Sequence, residues 1–112
     1  MTDIRQLTEE YVTAFDARDI DKVASLFAKD FILTDQEVTA LTPKSDVIKY
    51  IKRLFVSHET LSFEARDIVV DGEKSVIHFT LTLDKLVLDG VDVITWKCSN
   101  MTTMTAYLKK RN

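Results

Sequence analysis

Three polar side chains stand in this sequence where apolar ones are expected, and together they could move a proton. Tyr11 lies within the series Ile4, Leu7, Tyr11 and Phe15, whose spacing of three and four residues marks one face of a helix. Its ring should therefore point inward, and its hydroxyl needs a partner. Asp35 closes a short strand in phase with Phe31 and Leu33, and Asp92 alternates in phase with Ile94 and Trp96. Burial raises the pKa of a carboxyl because low-dielectric surroundings disfavour its charged form. A neutral acid that donates a hydrogen bond, beside a charged one that accepts a proton, forms an acid/base site. Such a site suits proton abstraction next to a carbonyl: one carboxylate takes the proton and two donors hold the enolate oxygen. Taken singly, each residue also has a plainer role. Tyr11 could pack with its hydroxyl at the rim, Asp35 could cap its strand, and Asp92 could belong to a turn at Asp89-Gly90.

Other chemistry has little support. There is no glycine-rich phosphate loop, no Gly-x-Ser-x-Gly turn and no Cys-x-x-Cys pair. His58 and His78 have no ligands at metal spacing, so no metal site is expected, and His78 fits a hydrogen-bonded structural position. Cys98, the sole cysteine, has no adjacent base; it excludes an internal disulfide and suits a reducing compartment.

The elements that must position these residues follow from periodicity. The first helix spans Asp3 to Arg18, with Thr2 or Asp3 as its cap. A second, shorter helix begins at Asp19, buries Val23, Leu26 and Phe27, and ends near Lys29. A strand covers Phe31 to Asp35. Thr42-Pro43 then starts a third helix with Pro43 at the first helical position; Val47, Ile51, Leu54 and Phe55 face inward and the helix stops near His58. From Leu61 the period becomes two. Turns at Asp71-Gly72, Asp89-Gly90 and Cys98 to Asn100 predict four strands: Leu61 to Val70, Lys74 to Leu88, Val91 to Lys97 and Met101 to Leu108. Helices followed by an antiparallel meander make an α+β fold with the helices on one face of the sheet.

Composition fits one domain over residues 1–112: 46% hydrophobic and 29% charged residues match a globular chain, and two Gly and one Pro leave no linker. A net charge of −3 without a basic stripe disfavours nucleic acid, and the Lys109, Lys110 and Arg111 cluster reads as a solvated tail. No window reaches membrane-span length and Met1 to Gln6 lacks a signal-like pattern, so the expectation is a cytoplasmic protein without membrane association.

The element order and several blocks resemble the nuclear-transport-factor-2-like (NTF2-like) superfamily, in its ketosteroid isomerase and SnoaL-like branch. The blocks are Glu10 to Phe15 with Arg18 to Asp21, then Ala24 to Asp30 running to Asp35, Gly90 to Trp96, and Ala106 to Leu108. The resemblance implies a cone-shaped, cystatin-like α+β fold. Three N-terminal helices would pack on a curved antiparallel sheet around an apolar pocket, commonly in a homodimer formed across the sheet. It also implies roles: Tyr11 as oxyanion donor, Asp35 as base, Asp92 as protonated acid, with no cofactor. Phe15, Phe31, Leu33, Phe55, Ile94 and Trp96 are expected to line a pocket that holds a small apolar molecule. Two departures stand out. Gln36 follows Asp35 where those isomerases place proline, and Phe31 is bulkier than the residue expected at the wall, which predicts a cavity shallower than a steroid requires.

Overall fold

In the computed structural model, which describes residues 3–111, the Asp3 side chain accepts a hydrogen bond from the Gln6 amide (3.1 Å) and opens α1, Ile4–Asp16. Thr2, the alternative cap, lies outside the described residues. The inward stripe of α1 is Thr8, Tyr11, Ala14 and Phe15. Asp19 caps α2, Ile20–Ser25, which ends a turn earlier than periodicity suggests. Leu26 and Phe27 are buried as expected, but Phe27 already belongs to β1, Phe27–Thr34. The third helix, α3, runs Lys44–Ser57; Pro43 is its N-cap and not its first helical residue, and its carbonyl accepts from the Asp46 and Val47 amides.

Four strands follow: β2 (Leu61–Asp71), β3 (Lys74–Leu83), β4 (Leu86–Lys97) and β5 (Asn100–Lys110). Their spatial order is β1-β5-β4-β3-β2. The last four form the expected antiparallel meander, and β1 pairs parallel to β5, so the sheet is mixed. Register shifts at Ala65/Asp67 in β2 and Thr95/Trp96 in β4 bend the sheet around α1 and α3.

The Asp89-Gly90 turn is not there. The β3–β4 turn lies five residues earlier, at Asp84-Lys85, with Leu83 opposite Leu86 and Asp84 at φ 56°. Thr60 donates to the Asp84 carboxylate from its backbone amide (2.9 Å), and His58 Nδ1 lies 3.0 Å from the other oxygen. Asp89 and Gly90 continue inside β4. Glycine is required there by packing: a Cβ would sit 2.6 Å from the Tyr107 carbonyl oxygen and 2.7 Å from the Phe79 ring. The basic cluster is likewise no loose tail, because β5 runs through Lys110 and Arg111 clamps the Asp89 carboxylate with two N–H groups.

The inner face of the sheet is apolar and buried against α1 and α3. Trp96 fills the closed end, donating from Nε1 to Ser75 Oγ (2.9 Å), which lies 2.8 Å from the Thr8 hydroxyl. Met101 is fully buried whereas Thr103 and Tyr107, an even number of residues further on, are exposed, because the register shift beside Trp96 leaves Thr102 as an extra residue and changes the parity of β5. His78 is exposed on the outer face.

Candidate active site

The wider end of the cone is not filled. Tyr11 from α1, Asp35 just beyond β1 and Asp92 from β4 line one chamber of about 80 Å³. Its remaining wall is almost wholly apolar, including Phe15, Leu33, Phe63, Phe79 and Met104. Each polar group arrives for a local reason. Tyr11 is one turn after Thr8 on the buried stripe of α1, and the two-residue period of β4 aims Asp92 the same way as Ile94 and Trp96. Asp35 follows β1 at a bend, where its Oδ1 accepts from the Glu37 and Val38 amides (2.8 and 2.9 Å).

The electrostatics separate the two acids. Asp92 is 4% exposed, and burial, with a smaller contribution from the charge of Asp35, pushes its carboxyl up to about 8. At pH 7 Asp92 is therefore mainly neutral. Burial also raises the Tyr11 hydroxyl well above its usual value, assisted by the nearby Asp92. Neither group hydrogen-bonds to protein among the described residues, yet no fully enclosed polar side-chain atom there is orphaned. Their polar atoms therefore reach the open volume of the chamber.

Tyr50 stands outside the residues singled out by periodicity. Its hydroxyl donates to Asp35 Oδ2 (2.8 Å) and lies 3.4 Å from Glu37, and burial with these carboxylates raises its pKa. The available signal is its position on α3, three residues after Val47 and four before Leu54, at the edge of the apolar stripe. Asp35 thus caps its bend, as the plainer reading holds, while also lining the chamber.

Of the expected pocket wall, Phe15 and Leu33 line the chamber. Phe31, Phe55, Ile94 and Trp96 do not. Phe31 stacks on Phe27 at 4.2 Å, Phe55 packs edge-on against Phe15 at 5.0 Å, and Ile94 and Trp96 occupy the solid closed end with no exposed surface. Alternation fixes their face but not their depth along the cone. Outside the chamber lies a vestibule of about 500 Å³ that shares Asp35, Tyr50, Leu54, Leu81 and Leu108 with it. Its outer part is walled by Leu83, Leu86 and Leu88, with Arg53, Ser57 and His58 along α3. Among the described residues no cluster of three metal-binding side chains occurs, and no helix is long and apolar enough to cross a membrane.

Three N-terminal helices on a five-stranded, mostly antiparallel sheet make this an NTF2-like α+β fold. Within that class the chain belongs to the SnoaL-like domain family, whose model matches residues 8–103. Solved structures agree in fold. A SnoaL-like protein of unknown function from Burkholderia thailandensis superposes with a TM-score of 0.83 at 18% identity, covering 97% of this chain and 98% of that one. A protein with a ketosteroid isomerase-like fold from Catenulispora acidiphila, in complex with trimethylamine, gives 0.79 at 12% identity over 90% and 83%. An epoxide hydrolase from M. tuberculosis, of the type termed LEH-like, gives 0.78 at 14% identity over 95% and 82%. No curated protein matches the sequence. Isomerases, hydrolases, cyclases and proteins of unknown function share this family and fold, so these likenesses carry the fold and not the reaction.

Proposed function

We propose that the chamber binds the carbonyl group of a small apolar compound and shifts a double bond next to it without a cofactor. The observation that supports this is a neutral Asp92 and the Tyr11 hydroxyl opening on the same chamber as the Asp35 carboxylate. Asp35 removes a proton from the carbon between the carbonyl and the alkene. The C–H electron pair moves into the enolate, and its oxygen accepts hydrogen bonds from Tyr11 and protonated Asp92. The proton then returns from Asp35 to the γ-carbon as the enolate collapses to the conjugated ketone. General-base transfer of this kind contributes about 10²- to 10⁴-fold, and oxyanion stabilisation adds to it. A chamber of about 80 Å³ is small beside the ~300–1,000 Å³ of typical ligand pockets, which favours a short ketone, or the head of a longer molecule, over a steroid.

The test offers β,γ-unsaturated ketones of graded size and follows the ultraviolet absorbance of the conjugated product. Turnover should fall at least about 100-fold in Asp35→Asn and decline above pH about 8 as Asp92 ionises. Equal rates in wild type and Asp35→Asn would remove Asp35 as the base.

A second reading, a non-catalytic binding module, is favoured by one observation: two amides and Tyr50 already occupy the Asp35 oxygens. Its outcome is binding without turnover across all ketones. The chemistry of the bound head is then read from pH. A carbonyl needs protonated Asp92 and loses affinity above about 8, whereas a small amine in its cationic form, with trimethylamine, the compound in the Catenulispora acidiphila complex, as the probe, prefers ionised Asp92 and gains affinity there. We also propose a homodimer through the outer face of the sheet, where Tyr107 and Val69 are exposed among Val76, Val91 and Val93. Analytical ultracentrifugation of wild type and Tyr107→Glu tests it; a wild-type monomer at micromolar concentration would exclude it.

A further inference from the structure

The vestibule carries a charge arrangement that the chamber chemistry does not use. Arg53 stands on its wall with no ion pair or side-chain hydrogen bond among the described residues. A cation near a helix C-terminus usually serves the unpaired carbonyls there. In this fold Arg18 performs that task. Its guanidinium donates to the carbonyls of Phe55 (2.8 Å), His58 (2.9 Å) and Glu59 (3.0 Å). Arg53 is not engaged with those carbonyls, and it stands exposed at the vestibule.

The other charged groups of the vestibule set a direction. Asp35 and Glu37 sit at its inner wall on either side of the Tyr50 hydroxyl, while His58 at the outer end is engaged with Asp84. An anion would be repelled by these two carboxylates and attracted to Arg53, while His58 is already matched by Asp84. Between them the surface is aliphatic: Leu54, Leu81, Leu83, Leu86, Leu88 and Leu108. On α3 the vestibule residues Tyr50, Arg53 and Ser57 follow one face, and Arg53 and Ser57 lie roughly 5 and 10 Å along the axis beyond Tyr50.

We infer that the ligand class is an oxo acid, its carbonyl in the chamber, its aliphatic chain on the leucine wall and its carboxylate held by Arg53. This rests on the carbonyl reading of the chamber and adds what lies outside it. The inner carboxylates forbid the reversed orientation, so Arg53 fixes which end of the molecule meets Tyr11 and Asp92.

The probe is 6-oxoheptanoate, paired with its methyl ester, titrated into the full chain by calorimetry at low salt. The acid should bind about three- to tenfold more tightly than the ester, as expected for a partly exposed guanidinium–carboxylate pair. Arg53→Gln should abolish that preference by weakening the acid alone, Arg53→Lys should retain part of it, and 0.5 M NaCl should shrink it. Equal affinity for acid and ester, or an equal loss of both in Arg53→Gln, overturns the inference. Arg53 is exposed, so its replacement leaves the core untouched. The ester also reports on the chamber. If its binding survives Tyr11→Phe and Asp92→Leu unchanged, each of which removes a donor, the carbonyl reading fails and the oxo-acid assignment goes with it. If those variants weaken the ester but no preference for the acid exists, only the Arg53 anchor fails.

Discussion

Replacing Asp92 by asparagine isolates what a buried carboxyl costs this fold. In the folded chain Asp92 titrates at about 8, against an ordinary value of 3.8. Between those pH values the native state holds a proton that the unfolded chain releases, so Asp92 makes stability fall as pH rises across that window and adds no further loss above it. At about 1.4 kcal/mol per pH unit the full interval corresponds to at most about 6 kcal/mol, and to about 3 kcal/mol if water entering the chamber screens half of it. Either figure is large against a domain stability of about 5–15 kcal/mol. The asparagine side chain has nearly the same shape and no proton to lose. The two proteins should therefore melt within a few degrees of each other at pH 4, and Asp92→Asn should melt at least about 10 °C higher at pH 9. Calorimetric melts from pH 4 to 9 measure the difference, in which the titrating groups that do not interact with Asp92 cancel. Carboxyl ¹³C NMR should place the Asp92 midpoint near 8. Parallel melting profiles, or a midpoint below pH 5, would refute the claim that Asp92 is kept neutral.

Three further outcomes follow from contacts. Gly90→Ala should destabilise the fold by about 1–3 kcal/mol in urea melts, because its Cβ meets the Tyr107 carbonyl and the Phe79 ring; an unchanged midpoint would show that β4 and β5 can separate freely. Tyr50→Phe should cost about 1.5–3 kcal/mol through the lost bond to the Asp35 carboxylate, read as a lower Tm. Arg18→Ala should speed amide exchange in residues 55–60 and lower stability by about 1–3 kcal/mol, since three carbonyls lose their donor; Arg18→Lys should recover only part of this, lacking the forked geometry.

Much of this arrangement is legible without coordinates. The helix stripes through Tyr11, Val47 and Ile51 and the two-residue period from Leu61 depend only on which side chains avoid water, and the structure buries those residues. The inward aim of Asp92 is readable for the same reason. The β3–β4 turn is misplaced by sequence because Asp-Gly marks both a tight turn and a close approach of strands. Only the positions of Phe79 and Tyr107, distant in sequence, distinguish the two at Gly90. The turn actually used, Asp84-Lys85, has no glycine; the Asp84 carboxylate is fixed there by Thr60 and His58, more than twenty residues earlier. Tyr50 escapes a sequence reading because its partner, Asp35, is on a different element.

By itself, then, the sequence determined the order and type of elements, their buried faces and the inward direction of Tyr11 and Asp92, since periodicity is a local property. Tertiary structure decided the rest: that Trp96 and Ile94 fill one end of the cone while the other stays open, that the pairing of β4 between β3 and β5 brings Asp92 within electrostatic reach of Asp35 and Tyr11, and that Arg18, from beyond α1, serves the carbonyls at the end of α3. Depth, void and proton affinity depend on atoms brought from distant parts of the chain, and no local pattern records them.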